Sequence, residues 1–118
     1  MKRYILTLVI ALATVASASA MSYQRAREEA LYLTDKMAYE LNLNDQQYND
    51  AYEINLDYFL SMETESDLYA DYLNYRLTDF RHILLNWQFD LLLGADYFVR
   101  PIIWSHGCWV FPIYRHYH

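Results

Sequence analysis

The chain has 118 residues, a net charge of −6 and a hydrophobic fraction of 55%. That length accommodates one domain. The acidic balance excludes a protein that grips nucleic acid or anionic lipid mainly through charge, and a single cysteine, Cys108, excludes an internal disulfide. A small domain without disulfides depends on its apolar core. Much of the apolar content here is tyrosine, thirteen residues, a side chain that favours sites with one wet edge.

At the N-terminus Lys2 and Arg3 precede an apolar run from Tyr4 to Val15, and Ala18 and Ala20 supply small residues after it. This is the pattern of a cleaved signal peptide. The run is too short for a bilayer about 30 Å thick, which needs about 20 apolar residues. Residues 1–20 are therefore expected to be a signal peptide cleaved near Ala20, with 21–98 a helical domain and 99–118 an aromatic, basic arm. The expected location is periplasmic or secreted. Cleavage removes Lys2 and Arg3 and no acid, so the exported chain is more acidic still. No cysteine at the cleavage point argues against a lipid anchor.

Every glycine and proline (Gly94, Pro101, Gly107 and Pro112) lies near the C-terminus. Nothing from Ser22 to Leu93 strongly breaks a helix, so the expected fold class is all-α, with three to four amphipathic helices and a short extended or β-hairpin tail. Ser22 is a good N-cap for the first helix, and Ala26, Ala30, Leu33, Met37 and Leu41 share one face of it. Asn44 caps the second, with Gln47 three residues on in a capping-box arrangement. There Gln46, Asp50, Glu53 and Asp57 make a polar stripe opposite Tyr48, Ala51, Tyr52, Asn55, Tyr58, Phe59 and Met62. A break near Thr64 to Ser66 precedes a third helix. Thr78 is a candidate cap for a fourth, with Phe80, Ile83, Leu84, Trp87 and Leu91 as its apolar face. One continuous helix from Asp67 to Leu93 is the alternative.

In the tail, "PIIW" and "CWVF" are short apolar runs around "SHG", where Gly107 suits a tight turn. Every acid lies between Glu28 and Asp96, whereas Arg100, His106, Arg115, His116 and His118 follow without one. Such a tail either folds back on the acidic body or reaches a partner. Trp104, Trp109, Phe111, Tyr114 and Arg115 have the character of membrane-interface residues. Completing a small core is the favoured reading.

Little in the sequence suggests catalysis. His106 with Cys108, and His116 with His118, are residue types that bind zinc or copper, but their spacings are not those of a closed site, so no metal and no cofactor are expected. Cys108 has only His106 as a local base. The paired acids at helical spacing read as a solvated face. The common phosphate-loop, nucleophile-elbow, H-E-x-x-H and C-x-x-C motifs are absent.

Leu43-Asn44-Asp45-Gln46-Gln47 resembles the LTxxQ motif of small, exported, all-helical periplasmic proteins of the Spy/CpxP type, with Asn44 in place of Thr. In that motif the Thr caps a helix and the Gln sits at its third position. Leu77-Thr78-Asp79-Phe80-Arg81 is similar to the second copy such proteins carry, with Arg81 where Gln is expected. The body also resembles small exported bacterial proteins that combine "LTDKMAYELNL", a "YEIN" helix and an aromatic "RP..W" tail. The resemblance implies a non-enzymatic binding protein of the bacterial envelope, chaperone-like or stress-related. It would form a cradle-like homodimer that holds exposed surfaces of other proteins. Tyr48, Tyr52, Tyr58 and Phe59, with Trp104 and Trp109 of the arm, are the expected contacts. The alternative is a structural or adaptor protein whose arm docks on a membrane or a partner complex.

Overall fold

Ser22 opens the first helix as its sequence suggests. Its Oγ accepts from the Arg25 amide at 3.1 Å, satisfying one of the donors a helix start leaves unpaired. The computed structural model describes residues 20–117. The expected signal peptide and His118 fall outside the described residues, Ala20 apart. Helix α1 runs Tyr23–Leu41 and buries Ala26, Ala30, Leu33, Thr34, Met37 and Leu41. It stops at Asn42, which adopts a left-handed conformation with φ 52°, a geometry Asn tolerates better than most residues. Helix α2, Asp45–Leu60, starts two residues later at the Asn44 capping box.

After a 3-10 turn at Glu65–Tyr69 come α3 (Tyr72–Ile83), α4 (Asn86–Leu93) and a single turn α5 (Asp96–Val99). Asp67 organises the entry to the 3-10 turn, its Oδ2 accepting from the amides of Glu63 and Thr64, both at 2.9 Å. The arm then forms an antiparallel hairpin, β1 (Ile103–Ser105) and β2 (Cys108–Val110), and ends in the short helix α6 (Ile113–His116). Ser105 pairs with Cys108, so the loop is the dipeptide His106-Gly107. Both of its residues have positive φ, 53° and 80°, as a twist-matched two-residue hairpin turn requires. Among the described residues no helix is long and apolar enough to cross a membrane.

The break between the third and fourth helices is not where Thr78 would place it. Thr78 lies inside α3 and is exposed; its hydroxyl caps nothing there. The chain leaves the helix at Leu84 and Leu85, both extended, with ψ of 149° and 159°. No glycine or proline marks this point. At this stop Gln47 Nε2 donates to Ile83 O and the Leu85 amide donates to Oε1 of Gln88, the third residue of α4.

Gln88 and Gln47 form a reciprocal clasp between the two helix-turn-helix halves. Each Oε1 accepts from the amide that precedes its own helix: Asn44 N to Gln47 at 3.0 Å, Leu85 N to Gln88 at 2.8 Å. Each Nε2 donates to the last carbonyl of a helix in the other half: Gln47 to Ile83 O and Gln88 to Leu41 O, both at 3.0 Å. The two side chains also bond to each other, at 2.8 and 3.2 Å. Gln88 is 2% exposed, so each of these bonds replaces one that water cannot make.

A second polar chain crosses the core. Thr34 Oγ1 donates to Ala30 O at 2.6 Å and accepts from Asn55 Nδ2 at 3.0 Å. Asn55 Oδ1 accepts from Arg76 Nη2 at 3.0 Å, and Arg76 Nη1 reaches Val99 O at 3.2 Å. Helices α1, α2, α3 and α5 are thereby tied in sequence. The Arg76 guanidinium lies between the rings of Tyr58 and Phe80, at 5.3 and 4.9 Å.

The arm is part of the core. Ile102, Trp109, Phe111 and Ile113 belong to the same buried cluster as the α1 stripe, Phe59, Phe80 and Phe98. Phe111 meets Phe59 edge-on at 5.3 Å and carries Arg25 over its face at 5.2 Å. The expected apolar face of the fourth helix is split instead. Phe80 and Leu84 are buried, but Trp87 and Leu91 are about half exposed, at 49% and 52%. The kink at Leu84–Leu85 rotates α4 relative to α3, so a single periodicity does not carry across it.

Two outcomes follow from this architecture. Gln47→Leu and Gln88→Leu each strand several buried groups, at roughly 1–3 kcal/mol per group, and each is expected to lower stability by about 3 kcal/mol. The double variant should cost about 1–2 kcal/mol less than the sum, as read from denaturant unfolding; strict additivity would dissolve the clasp. Phe111→Ala should cost about 3–5 kcal/mol, and a chain ending at residue 98 should lose cooperative unfolding. A chain ending there that melts as sharply as the parent would show the arm to be an appendage.

Candidate functional site

A groove of about 370 Å³ lies between the outward faces of α1 and α2. Leu31, Gln24, Arg27 and Glu28 form the α1 wall; Tyr48, Asn49 and Tyr52 form the other. The α1 side is exposed because Gln24, Arg27, Glu28 and Leu31 sit off the buried Ala26–Ala30–Leu33 stripe. The α2 side is aromatic because Tyr48 and Tyr52 follow the capping box one turn apart. Both tyrosines are half-buried. Tyr48 donates to Asp35 Oδ1, which pins its ring against α1. Arg27 stands over the Tyr23 ring at 6.0 Å, and the Tyr52 hydroxyl is the main reason its guanidinium is pushed above its ordinary value.

Other expected contact residues take different places. Tyr58, Phe59 and Trp109 are 5%, 1% and 5% exposed and serve the protein's own interior. Trp104 is half-buried and meets Trp109 edge-on at 4.8 Å. Asn44 and Gln47 sit at the clasp. His106 and Cys108 occupy the exposed hairpin tip, where the Cys108 thiol donates to Ser105 O at 3.3 Å and His106 Nδ1 lies 2.9 Å from Ser105 Oγ. His116 is elsewhere, stacked on Tyr97 at 4.3 Å. Among the described residues no three His, Cys, Asp or Glu side chains are grouped to hold a metal ion.

The acidic body and the basic tail do meet, but mostly through tyrosine hydroxyls. Tyr97 donates to both oxygens of Glu40, at 3.0 and 3.1 Å, and Tyr117 donates to the same carboxylate. Tyr114 donates to Glu29 at 2.7 Å and stacks on Tyr32 at 4.7 Å. Lys36 lies over the rings of Tyr32 and Tyr117, at 4.9 and 4.8 Å. His116 adds a contact to Glu40 at 3.7 Å. Sequence reasoning saw opposite charges in body and tail; the hydroxyl–carboxylate pairing was hidden because tyrosine reads as apolar. Arg76 was missed for the converse reason, since an arginine on an amphipathic helix reads as solvated.

No family model, no curated protein and no solved structure matches the chain.

Burial, and then the carboxylate each one donates to, hold these tyrosines protonated. Tyr48 and Tyr97 are pushed up to about 12, and Tyr114 and Tyr117 are raised for the same reasons. A raised acid stabilises the fold fully below its unfolded value, about 10 for tyrosine. The unfolded chain loses its protons first, so that stability fades as pH rises through the folded value. Stability is therefore expected to fall from about pH 10 towards 12. In an ultraviolet titration these four tyrosines, and Tyr58, which burial also raises, should ionise late, and Glu40→Gln should return Tyr97 and Tyr117 towards the ordinary range. A single transition near pH 10 for all thirteen would remove this account.

Proposed function

We propose that the chain is an exported, non-enzymatic binding protein of the bacterial envelope, chaperone-like in action, which holds exposed segments of other proteins along the α1–α2 groove. The groove itself carries the proposal. Tyr48 and Tyr52 give large contact area for little entropy loss, Leu31 adds an apolar edge, and Arg27, Glu28, Gln24 and Asn49 offer polar partners of both signs. Such a surface accepts many sequences and selects few of them, as a client-binding surface must.

The resemblance to LTxxQ-motif proteins supports the same reading. Leu84-Leu85-Asn86-Trp87-Gln88 has the spacing of Leu43-Asn44-Asp45-Gln46-Gln47, with Gln at the third helical position in both. A homodimer belongs to this reading, with the two grooves forming one larger cradle.

The test is suppression of aggregation of a denatured protein without ATP, with mass in solution measured alongside. The parent chain is expected to be dimeric and to protect at near-equal ratio. Leu31→Lys, at an exposed position of the groove, should weaken protection about tenfold, equivalent to about 1.4 kcal/mol, while the melting temperature stays close to the parent's. A folded parent chain that protects nothing, or protection indifferent to the groove change, would refute the proposal.

A further inference from the structure

A second cavity, about 340 Å³, opens where the arm leaves the helical body. Its size falls in the range of about 300–1,000 Å³ common to small-molecule sites. Leu68, Ile102, Ile103 and Trp104 make apolar walls, Tyr69 stands at the edge, and Tyr58 and Arg100 supply the polar groups. The lining contains no carboxylate, which is notable in so acidic a chain.

The electrostatics of this cavity are one-sided. Arg100 is exposed and makes no ion pair or side-chain hydrogen bond among the described residues. Tyr58 is 5% exposed, and its hydroxyl likewise has no hydrogen-bond partner among them. Behind the Tyr58 ring lies Arg76, 2% exposed, with its Nε unbonded. Both guanidiniums lower the Tyr58 hydroxyl's pKa against the burial that raises it. Among the described residues, one exposed cation without a counter-ion, Arg100, and one buried guanidinium, Arg76, thus converge on the Tyr58 hydroxyl beside an apolar wall. In such partly desolvated surroundings a matching anion gains more than it would in water.

We propose that this cavity is a binding site for a small amphiphilic carboxylate, an apolar chain or ring ending in one carboxylate. Arg100 takes the carboxylate through charge-assisted hydrogen bonds and the Tyr58 hydroxyl donates to it. Arg76 supports both from behind without touching the ligand. Leu68, Ile102, Ile103 and Trp104 receive the apolar part. This site is separate from the α1–α2 groove and does not depend on the client-binding reading.

Sodium decanoate, kept below the concentration at which it self-associates, is the probe, with calorimetric titration of the whole purified chain as the readout. Decanoate should bind saturably at one site per chain, at least about tenfold more tightly than decanol, with decylamine not binding. Arg100→Gln should weaken decanoate about tenfold or more and leave decanol unchanged. Because Arg100 is exposed, this variant should melt with the parent. Tyr58→Phe should give a smaller loss in the same direction. Equal binding of decanoate and decanol, binding unaffected by Arg100→Gln, or no saturable binding would overturn the proposal. So would tighter binding of an apolar tetrapeptide with a free C-terminus than of decanoate, since the cavity would then be a site for polypeptide ends.

Discussion

The reciprocal clasp of Gln47 and Gln88 is the constraint on which the helical body rests. A helix start leaves amides unpaired and a helix end leaves carbonyls unpaired. When two helix-turn-helix units pack turn against turn, these groups face each other away from water. One glutamine per unit resolves this, because its amide both accepts and donates. Each caps its own helix with Oε1 and the other unit's last carbonyl with Nε2. The pairing sets the α1–α2 turn against the α3–α4 turn, and with it the positions of the Asn55–Arg76 chain and the arm.

Arg76 shows a second economy of the same kind. A buried guanidinium is costly, and burial pulls its pKa down to about 10. Its bonds to Asn55 and Val99 and its place between two aromatic rings offset part of that cost. What the cation supplies in return is a link from α2 to the beginning of the arm. The arm in turn closes the core with Ile102, Trp109, Phe111 and Ile113. The aromatic arm thus completes the core of a small domain, the reading its sequence favoured.

Features with a local cause were legible in the sequence. The α1 stripe, the Ser22 and Asn44 caps and the Gly107 turn are each set by residues within a turn of one another, and each is found where local rules place it. The break at Leu84–Leu85 has a non-local cause: Gln88 is held by Gln47 and Leu41, more than forty positions away, and no breaker residue announces it. Thr78 had the right chemistry for a cap and the wrong neighbours, since α3 was already running through it. For the candidate groove, Tyr48 and Tyr52 were legible from α2 alone. Leu31 and Arg27 were not, because their role depends on how α1 lies against α2. Tyr58 and Phe59 share the α2 face with Tyr48 and Tyr52 in sequence, yet lie two turns further on, where α3 and the arm cover them.

The same partition bears on function. At the hairpin tip the residues that would be needed for nucleophilic chemistry are turned to local work: the Cys108 thiol and the His106 ring both bond to Ser105. The acids of α1 that face the arm are occupied by tyrosine hydroxyls rather than aimed into a cleft. Two of the surfaces open among the described residues are a mixed-polarity aromatic groove and an apolar cavity edged by Arg100. Neither brings a nucleophile and a base together, and each matches a mode of recognition, adaptable contact in the groove and charge-directed capture of one group in the cavity. Tyr58 lines the cavity and lies on α2, the helix that also carries Tyr48 and Tyr52 of the groove. Any influence of one site on the other must pass along that helix as a difference in affinity between two of its states.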